Sequence, residues 1–276
     1  FPVAFDRCGP QNLDNLPPNY IETLKQNYPE SWVRRYLRGE WGSINAASAV
    51  TPTFDANIHV KPLSWTKRSP IHVGIDWGYQ TPGIVWTQID PQDRLKVIRI
   101  WAPHDINVYK LAEGVRFRNG EWFPNAGFKY YAGHDGKTRK DTGTKTSEEV
   151  FKHYGMAPKI QYTHVERGLS TIRSLLEIRD DGLPGLLVDP INTTLIRGFA
   201  GGYRYHPNKE DEIEKTGVYD NLFDALRYIV VNNFNPGGRV IIGGSIPAFK
   251  TPTPKNHDDD KPYHSILRGY PKPMRY

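Results

Sequence analysis

The chain has 276 residues, a formal net charge of +6 and a single cysteine, Cys8. One cysteine excludes an intramolecular disulfide framework, and no apolar run approaches the roughly 18 residues of a membrane span, so the composition predicts a cytosolic protein without membrane contact. Hydrophobic residues, at 38%, suffice for a core, and the basic charge favours a polyanionic partner without identifying one.

The first 60 residues lack the pattern of a self-sufficient domain. Two short helices are predicted, at 20–28 after Pro17-Pro18 and at 32–37 before Gly39-Glu40-Trp41-Gly42, but no strand. The sequence begins with Phe1 rather than methionine. We therefore expect residues 1–60 to be a linker at the end of a missing region, packed on the following domain or on an absent one.

Residues 61–235 carry the pattern of a mixed α/β domain. Three strands come first, at 71–75, 83–89 and 95–101, and the short turns between them predict antiparallel pairing. A helix at 108–115 follows, and strands and helices alternate after it. The strands of this second part are at 129–133, 159–162 and 186–188, and the helices are at 147–154, 169–178, 194–199 and 219–231.

The remaining residues, 236–276, have a different composition. Prolines and glycines punctuate a polar stretch that also contains the acidic run Asp258-Asp259-Asp260. Such a segment offers little apolar surface to bury, so it is predicted to be a flexible or partner-binding tail. The alternative is that Val240-Ile241-Ile242 pairs as one more strand of the domain.

Three aspartates stand at comparable places in the predicted elements. Asp76 ends the first strand of the domain, Asp135 follows the fourth in Gly133-His134-Asp135-Gly136, and Asp224 lies in the last helix. A single aspartate after a strand is more often a turn cap. Carboxylates brought together from two strand ends and a helix can instead hold two divalent ions, which cut phosphodiesters by stabilising the attacking and leaving oxygens. The combination predicts a metal-dependent nuclease.

Asp220 and Asp224 are four residues apart and therefore share one face of the last helix. The leucines and isoleucine between and after them are expected to anchor the opposite face, which would leave both carboxylates pointing outward. For Asp220, a capping role and a role as metal ligand are both open. Arg227, on the same face, is expected to hold a carboxylate or a DNA phosphate.

A cationic loop follows Asp135, with four basic residues within nine positions: Lys137, Arg139, Lys140 and Lys145. The preceding glycines superficially resemble a phosphate-binding loop, but Tyr131 stands where that motif requires its first glycine. A loop of this composition is often merely solvated. Next to a carboxylate site, it is predicted to bind the phosphates of DNA.

The order of the elements favours a particular fold. Three antiparallel strands followed by helix–strand alternation are typical of a ribonuclease H-like sheet, which carries acids on its first strand, on its fourth strand and on a late helix. Asp76, Asp135 and Asp224 occupy those places. The predicted fold class is therefore α/β, a ribonuclease H-like mixed sheet flanked by helices, with an N-terminal linker segment and a proline-rich C-terminal tail.

Over residues 12–234 the chain resembles the C-terminal nuclease part of large terminase subunits from tailed bacteriophages. The likeness rests on the segments at 15–42, 73–78, 133–135 and 202–205, and most specifically on Asp224-Ala225-Leu226-Arg227-Tyr228. Members of that family often have histidine three residues before the final aspartate, where this chain has Asn221. No Walker A motif occurs, so the resemblance implies that the ATPase lies in absent sequence or in a separate polypeptide.

The resemblance implies an endonuclease that cuts concatemeric double-stranded viral DNA at packaging, with two Mg²⁺ or Mn²⁺ ions held by Asp76, Asp135 and Asp224 and with Asp220 as a further ligand. The implied partners are double-stranded DNA, the motor ATPase region, the portal protein and the small terminase subunit, in the bacterial host cytoplasm and transiently at the procapsid portal. Two alternatives are a Holliday-junction resolvase or transposase-like nuclease with the same acids, and a non-catalytic module that docks on portal or capsid.

Overall fold

The structure is a computed structural model that describes residues 48–241, except 79, 138–144, 163, 208–211 and 236, together with two short strands near the start. The helices predicted at 20–28 and 32–37 lie outside the described residues, as does the tail beyond 241. Within the described part, no helix is long and apolar enough to cross a membrane.

Six strands form one mixed sheet, and two strands of two residues each, β1 (Phe5–Asp6) and β2 (Gly9–Pro10), pair separately. The order across the main sheet is β7-β6-β3-β4-β5-β8. Its strands are β3 (Ile71–Asp76), β4 (Gly83–Ile89), β5 (Leu95–Trp101), β6 (Phe128–Ala132), β7 (Pro158–Ile160) and β8 (Leu186–Val188).

The pairing confirms the predicted fold class. The β3–β4 and β4–β5 pairs are antiparallel, whereas β6 pairs parallel to β3, β7 pairs parallel to β6, and β8 pairs parallel to β5. The first five strands of the sheet therefore have the order of a ribonuclease H-like fold, and β8 extends the edge next to β5. Each strand predicted from the sequence is present, with ends displaced by two residues at most.

Helices cover both faces of this sheet. They are α1 (Ala56–His59), α2 (Val108–Trp122), α3 (Ser147–His153), α4 (Val165–Leu176), α5 (Thr193–Arg197) and α6 (Val218–Asn233), with a 3₁₀ turn at His134–Lys137 and a π turn at Gly198–Gly202. One apolar core lies between the sheet and α4, α5 and α6, and the other lies between the sheet and α2 and α3.

Helix α2 is longer than the predicted 108–115. Gly114 interrupts the helical pattern in the sequence, but in the structure it is the point where α2 meets the sheet, because a Cβ at this position would lie 2.3 Å from the Trp101 ring. Contact with Trp101 thus overrides the low helix propensity of glycine. Similarly, α4 begins four residues before the predicted start at 169.

The segments next to the predicted domain boundaries at 60 and 235 make contacts with the domain. Val50 is fully buried in the core beneath α6, and Val60 pairs with Val188 at the β8 edge. At the other end, Val240 forms a bridge with Phe234, which directly follows α6, and the Ile241 amide donates to the Asn233 carbonyl. Val240 therefore folds back on the end of α6 and adds no strand to the main sheet.

Helix α6 lies unusually close to the sheet because two glycines face it. A Cβ on Gly74 of β3 would lie 2.0 Å from the Ala225 carbonyl oxygen, and a Cβ on Gly83 of β4 would lie 2.4 Å from the Asn221 carbonyl oxygen. Any side chain at these positions would collide with the helix backbone. The glycines thus let the helix backbone rest on the strands, and this contact fixes where its polar residues lie.

Candidate active site

Two of the predicted acids lie at one edge of the sheet because their strands are parallel neighbours. Ile75 of β3 is in register with Ala132 of β6, so Asp76 at the end of β3 and Asp135, three residues beyond β6, leave the sheet on the same side. Side chains alternate along a strand, and Asp76 is two residues beyond Gly74, so it projects towards the face that α6 covers. The sheet therefore aims Asp76 at the last helix.

Asp224 on α6 completes a cluster of three carboxylates. It directly precedes Ala225, whose carbonyl contacts Gly74. Burial, as the largest cause, and the negative charges of Asp224 and then Asp135 together raise the pKa of Asp76 from 3.8 to about 7. This electrostatic coupling means that the structure brings together the three acids that the sequence singles out.

Two hydrogen bonds orient the buried Asp76 carboxylate. The Tyr228 hydroxyl donates to one oxygen at 3.3 Å, and the Gly78 amide donates to the other at 3.3 Å. Tyr228 is one helical turn after Asp224 and therefore lies on the same face of α6. Burial and the neighbouring carboxylates raise the pKa of Tyr228, so its hydroxyl stays a proton donor at neutral pH.

The 3₁₀ turn that carries Asp135 is fixed to the end of β3 by Trp77. Its indole N–H donates to the Gly133 carbonyl at 3.2 Å, and its ring packs edge-on against Phe151 of α3. Gly136 lies directly against the indole, where a Cβ would come within 2.2 Å of the ring nitrogen. Trp77, which follows Asp76, thus fixes the position of the turn that carries Asp135.

Asp224 is paired with Arg227 on the same helix. One carboxylate oxygen of Asp224 accepts from the Arg227 Nε at 3.0 Å and from a terminal nitrogen at 2.9 Å. Arg227 is itself buried, and its stem packs against Gly168 of α4, where a Cβ would lie 2.1 Å from it. Of the two partners that the sequence left open for Arg227, the carboxylate contact is present; contact with a DNA phosphate stays a prediction.

Asp220 is buried, which corrects the expectation that both helix carboxylates point outward. The reason is local: its oxygens accept from the backbone N–H groups of Thr216 and Gly217 and from the Thr216 hydroxyl, so the side chain closes the N-terminus of α6. These are the contacts of a capping residue. A role as metal ligand stays a prediction.

The Asn221 side chain connects α6 to the loop after β3. Its side-chain amide donates to the carbonyl and hydroxyl oxygens of Thr81, in the loop between β3 and β4. The same side chain lies against Gly78, where a Cβ would approach its nitrogen to 2.4 Å. Asn221 therefore ties α6 to the loop that follows Asp76.

The structure describes two of the four basic residues of the predicted DNA-binding loop. Lys137 ends the 3₁₀ turn of Asp135 and is exposed, and Lys145 is exposed just before α3. Arg139 and Lys140 lie outside the described residues. Of the two described lysines, Lys137 shares the turn of Asp135, and Lys145 precedes α3.

The carboxylates of Asp76, Asp135 and Asp224 are candidate ligands for a divalent cation. In the part of the chain that the structure describes, no group of three or more histidine, cysteine, aspartate or glutamate side chains is already gathered as a metal site. The chemistry nevertheless fits, because hard oxygen ligands suit Mg²⁺ and Mn²⁺. Burial and then the charges of Asp224 and Asp135 raise the pKa of Asp76, and a bound divalent cation would offset both effects on the ionised carboxylate.

Solved structures share this architecture. The nuclease domain of the P22 large terminase aligns with a TM-score of 0.50 and 17% identity, over 72% of this chain and 96% of that domain. The large terminase of the thermophilic bacteriophage D6E aligns with a TM-score of 0.53 and 16% identity, over 79% of this chain and 52% of that protein. This chain has the fold of large-terminase nuclease domains. No protein-family model matches the sequence, and no curated protein does.

The likeness to the D6E protein concerns about half of that protein's length. Within the shared fold, the sequence analysis overlooked two tyrosines that border the cluster. Tyr228 belongs to the Asp-Ala-Leu-Arg-Tyr motif, and its spacing of four residues from Asp224 places both on one helix face. The Tyr203 ring stacks on the Phe223 ring, with 4.3 Å between the ring centroids. Burial, as the largest cause, and then the charges of Asp224 and Asp220 raise the pKa of Tyr203.

Proposed function

We propose that this chain is the metal-dependent endonuclease of a phage DNA-packaging terminase and that it cuts concatemeric double-stranded DNA. The observation that carries the proposal is the buried Asp76 carboxylate at the end of its strand, whose pKa is raised by burial and then by the charges of Asp224 and Asp135 from two other elements. An ionised Asp76, buried and near two other negative charges, costs folding free energy, so the arrangement is best explained by a cation that these acids serve to bind. The terminase-nuclease fold agrees with this assignment.

Asp76, Asp135 and Asp224 would hold the Mg²⁺ or Mn²⁺ ions. When bound, a pair of such ions stabilises the attacking and leaving oxygens of phosphodiester hydrolysis. Tyr228 and the Gly78 amide orient the Asp76 carboxylate, and Arg227 holds one oxygen of Asp224. These contacts would hold Asp76 and Asp224 in fixed orientations before any cation arrives, which reduces the cost of reorganisation.

The cationic loop after Asp135 would hold the DNA. Phosphate contacts position a duplex without reading its sequence, and the exposed Lys137 lies on the turn that carries Asp135, whereas Lys145 is exposed just before α3. Arg139 and Lys140 lie between them in the sequence and are part of the same proposal.

The wider assembly is also part of the proposal. Residues 1–60 would join the nuclease to a motor ATPase region, 61–235 would be the nuclease domain, and 236–276 would bind another component of the packaging machine. The portal protein and the small terminase subunit are the proposed partners, in the host cytoplasm and at the procapsid portal. No Walker A motif occurs in the sequence, so DNA translocation is assigned to the ATPase partner.

Cleavage of plasmid and linear duplex DNA by the full chain tests this function. We expect cutting with Mg²⁺ or Mn²⁺, none in excess EDTA, and none for Asp76→Asn, Asp135→Asn or Asp224→Asn. Glu177→Gln, which removes an exposed carboxylate remote in sequence from the cluster, is the matched control and should cut normally. Preference for a four-way junction over linear duplex would favour a resolvase instead, and absence of both cutting and cation binding would favour a docking module.

A further inference from the structure

Three aromatic rings contact one another at the solvent surface next to Asp135. The Tyr162 ring meets the His134 ring edge-on at 5.4 Å between centroids, and it meets the His164 ring in the same way at 5.3 Å. Tyr162 nevertheless remains 64% exposed. It is therefore restrained by two neighbouring rings while most of its own surface faces water.

The sheet register places this cluster at the same edge as the acids. Ala132 of β6 is in register with Ile160 of β7, and His134 and Tyr162 each lie two residues beyond that pair. Both strands run parallel to β3, which ends at Asp76. The aromatic cluster thus leaves the sheet on the side of the carboxylates, and His134 directly precedes Asp135 in the chain.

An exposed tyrosine alone is ordinary, but this one has three features of a stacking surface. Its ring orientation is restrained by two neighbours, which lowers the entropy that binding would cost. It lies beside the carboxylate cluster at which we propose the DNA is cut. The exposed Lys137, on the turn that carries His134, provides positive charge for a phosphate chain.

We infer that Tyr162, in contact with His134 and His164, is a stacking platform for an unpaired base of the DNA strand next to the scissile phosphate. The inference rests on the proposed nuclease function and adds to it a preference for DNA that is locally unpaired. Base–aromatic stacking tolerates any sequence, because every base has a π face. Together with the lysines that contact phosphates, the platform would hold a distorted strand over the acids.

The test uses the full chain with Ca²⁺ in place of Mg²⁺, so that binding is measured under conditions expected to suppress cutting, and a duplex with one bulged 2-aminopurine whose fluorescence is quenched on stacking. We expect quenching by the unmodified chain and by Tyr162→Phe, which retains the ring. Tyr162→Ala should lose the quenching and bind the bulged duplex about 10-fold more weakly. Its affinity for a fully paired duplex should change less than about 2-fold, because phosphate contacts dominate there.

Tyr109→Ala is the matched control, because Tyr109 is also exposed, at 43%, but lies on α2. Equal quenching and equal affinity for Tyr162→Ala and the unmodified chain would overturn the inference, and if that chain still cuts plasmid with Mg²⁺ the nuclease function stands. A chain that neither binds nor cuts any DNA would overturn both. If Tyr162→Ala weakens binding of the paired duplex as much as binding of the bulged duplex, Tyr162 contacts DNA in general and the stacking platform is rejected.

Discussion

Replacing Asp76 by asparagine is expected to stabilise the fold at neutral and alkaline pH while abolishing cleavage. Asp76 is 8% exposed, and its pKa is raised from 3.8 to about 7 by burial and by the charges of Asp224 and Asp135. A pKa that is higher by about 3 corresponds to roughly 4 kcal/mol, at 1.36 kcal/mol for each pKa unit. Keeping this carboxylate ionised in the folded chain therefore costs up to about 4 kcal/mol.

The pH dependence follows from which state binds the proton. Between about pH 4 and pH 7, the folded chain keeps the proton on Asp76, whereas the unfolded chain has lost it. The free energy of unfolding therefore falls as pH rises through this window, and the full penalty is present above pH 7. Asparagine carries no charge and escapes the penalty, although it gives up one acceptor for the Gly78 amide or the Tyr228 hydroxyl, at about 1 kcal/mol.

Urea denaturation followed by tryptophan fluorescence, in EDTA, measures the difference. We expect Asp76→Asn to exceed the unmodified chain by about 2–3 kcal/mol at pH 8 and to be equal or slightly less stable at pH 4.5. Glu177→Gln, at an exposed position, should show no such pH-dependent difference. Adding Mg²⁺ should stabilise the unmodified chain and leave Asp76→Asn unchanged. A variant that is destabilised equally at both pH values would refute the electrostatic reasoning.

Three further outcomes are expected. Mg²⁺ or Mn²⁺ should support cleavage, whereas Ca²⁺ should support DNA binding without efficient cutting, because its looser coordination misplaces the reacting groups. Full activity in excess EDTA would contradict the dependence on metal ions. Neutralising Lys137, Arg139 and Lys140 together should weaken DNA binding and flatten its salt dependence, and an unchanged log-affinity against log-salt slope would exclude the loop from phosphate contact. Removing residues 243–276 should preserve the melting temperature and cleavage. Removing residues 236–276 should lower the melting temperature, because it deletes the contacts of Val240 with the domain. Equal melting temperatures for the two truncated chains would refute a domain boundary beyond Val240.

The sequence predicted best what depends on local pattern. The strands at 83–89 and 95–101 are apolar runs between turns, and they are present with those ends. The positions of Asp76 and Asp135 followed from where strands end, and parallel pairing then places both at one edge. Local pattern and tertiary structure agree at these positions, so the reasoning from sequence holds there.

Features that depend on tertiary contacts were not predictable in the same way. The capping of α6 by Asp220 depends on a turn at Thr216 and Gly217 that no periodicity reveals. The place of Tyr162 depends on the register of β6 with β7, which two separate strand assignments do not specify. Only the assembled sheet shows that this tyrosine lies beside the acids.

The contact between Gly74 and the backbone of α6 makes the site sensitive to very small displacements. Ordinary contacts begin near 3.4 Å, and a Cβ on Gly74 would lie 2.0 Å from the Ala225 carbonyl oxygen, so a single methyl group would push the helix outward. A withdrawal of roughly 1 Å is enough to lower a rate by about 100-fold in enzymes that depend on alignment. Backbone atoms set the spacing between Asp76 on the strand and Asp224 on the helix. Side chains elsewhere in the core can therefore be exchanged without changing that spacing. The domain can thus diverge widely in sequence as long as Gly74 and Gly83 stay without a side chain.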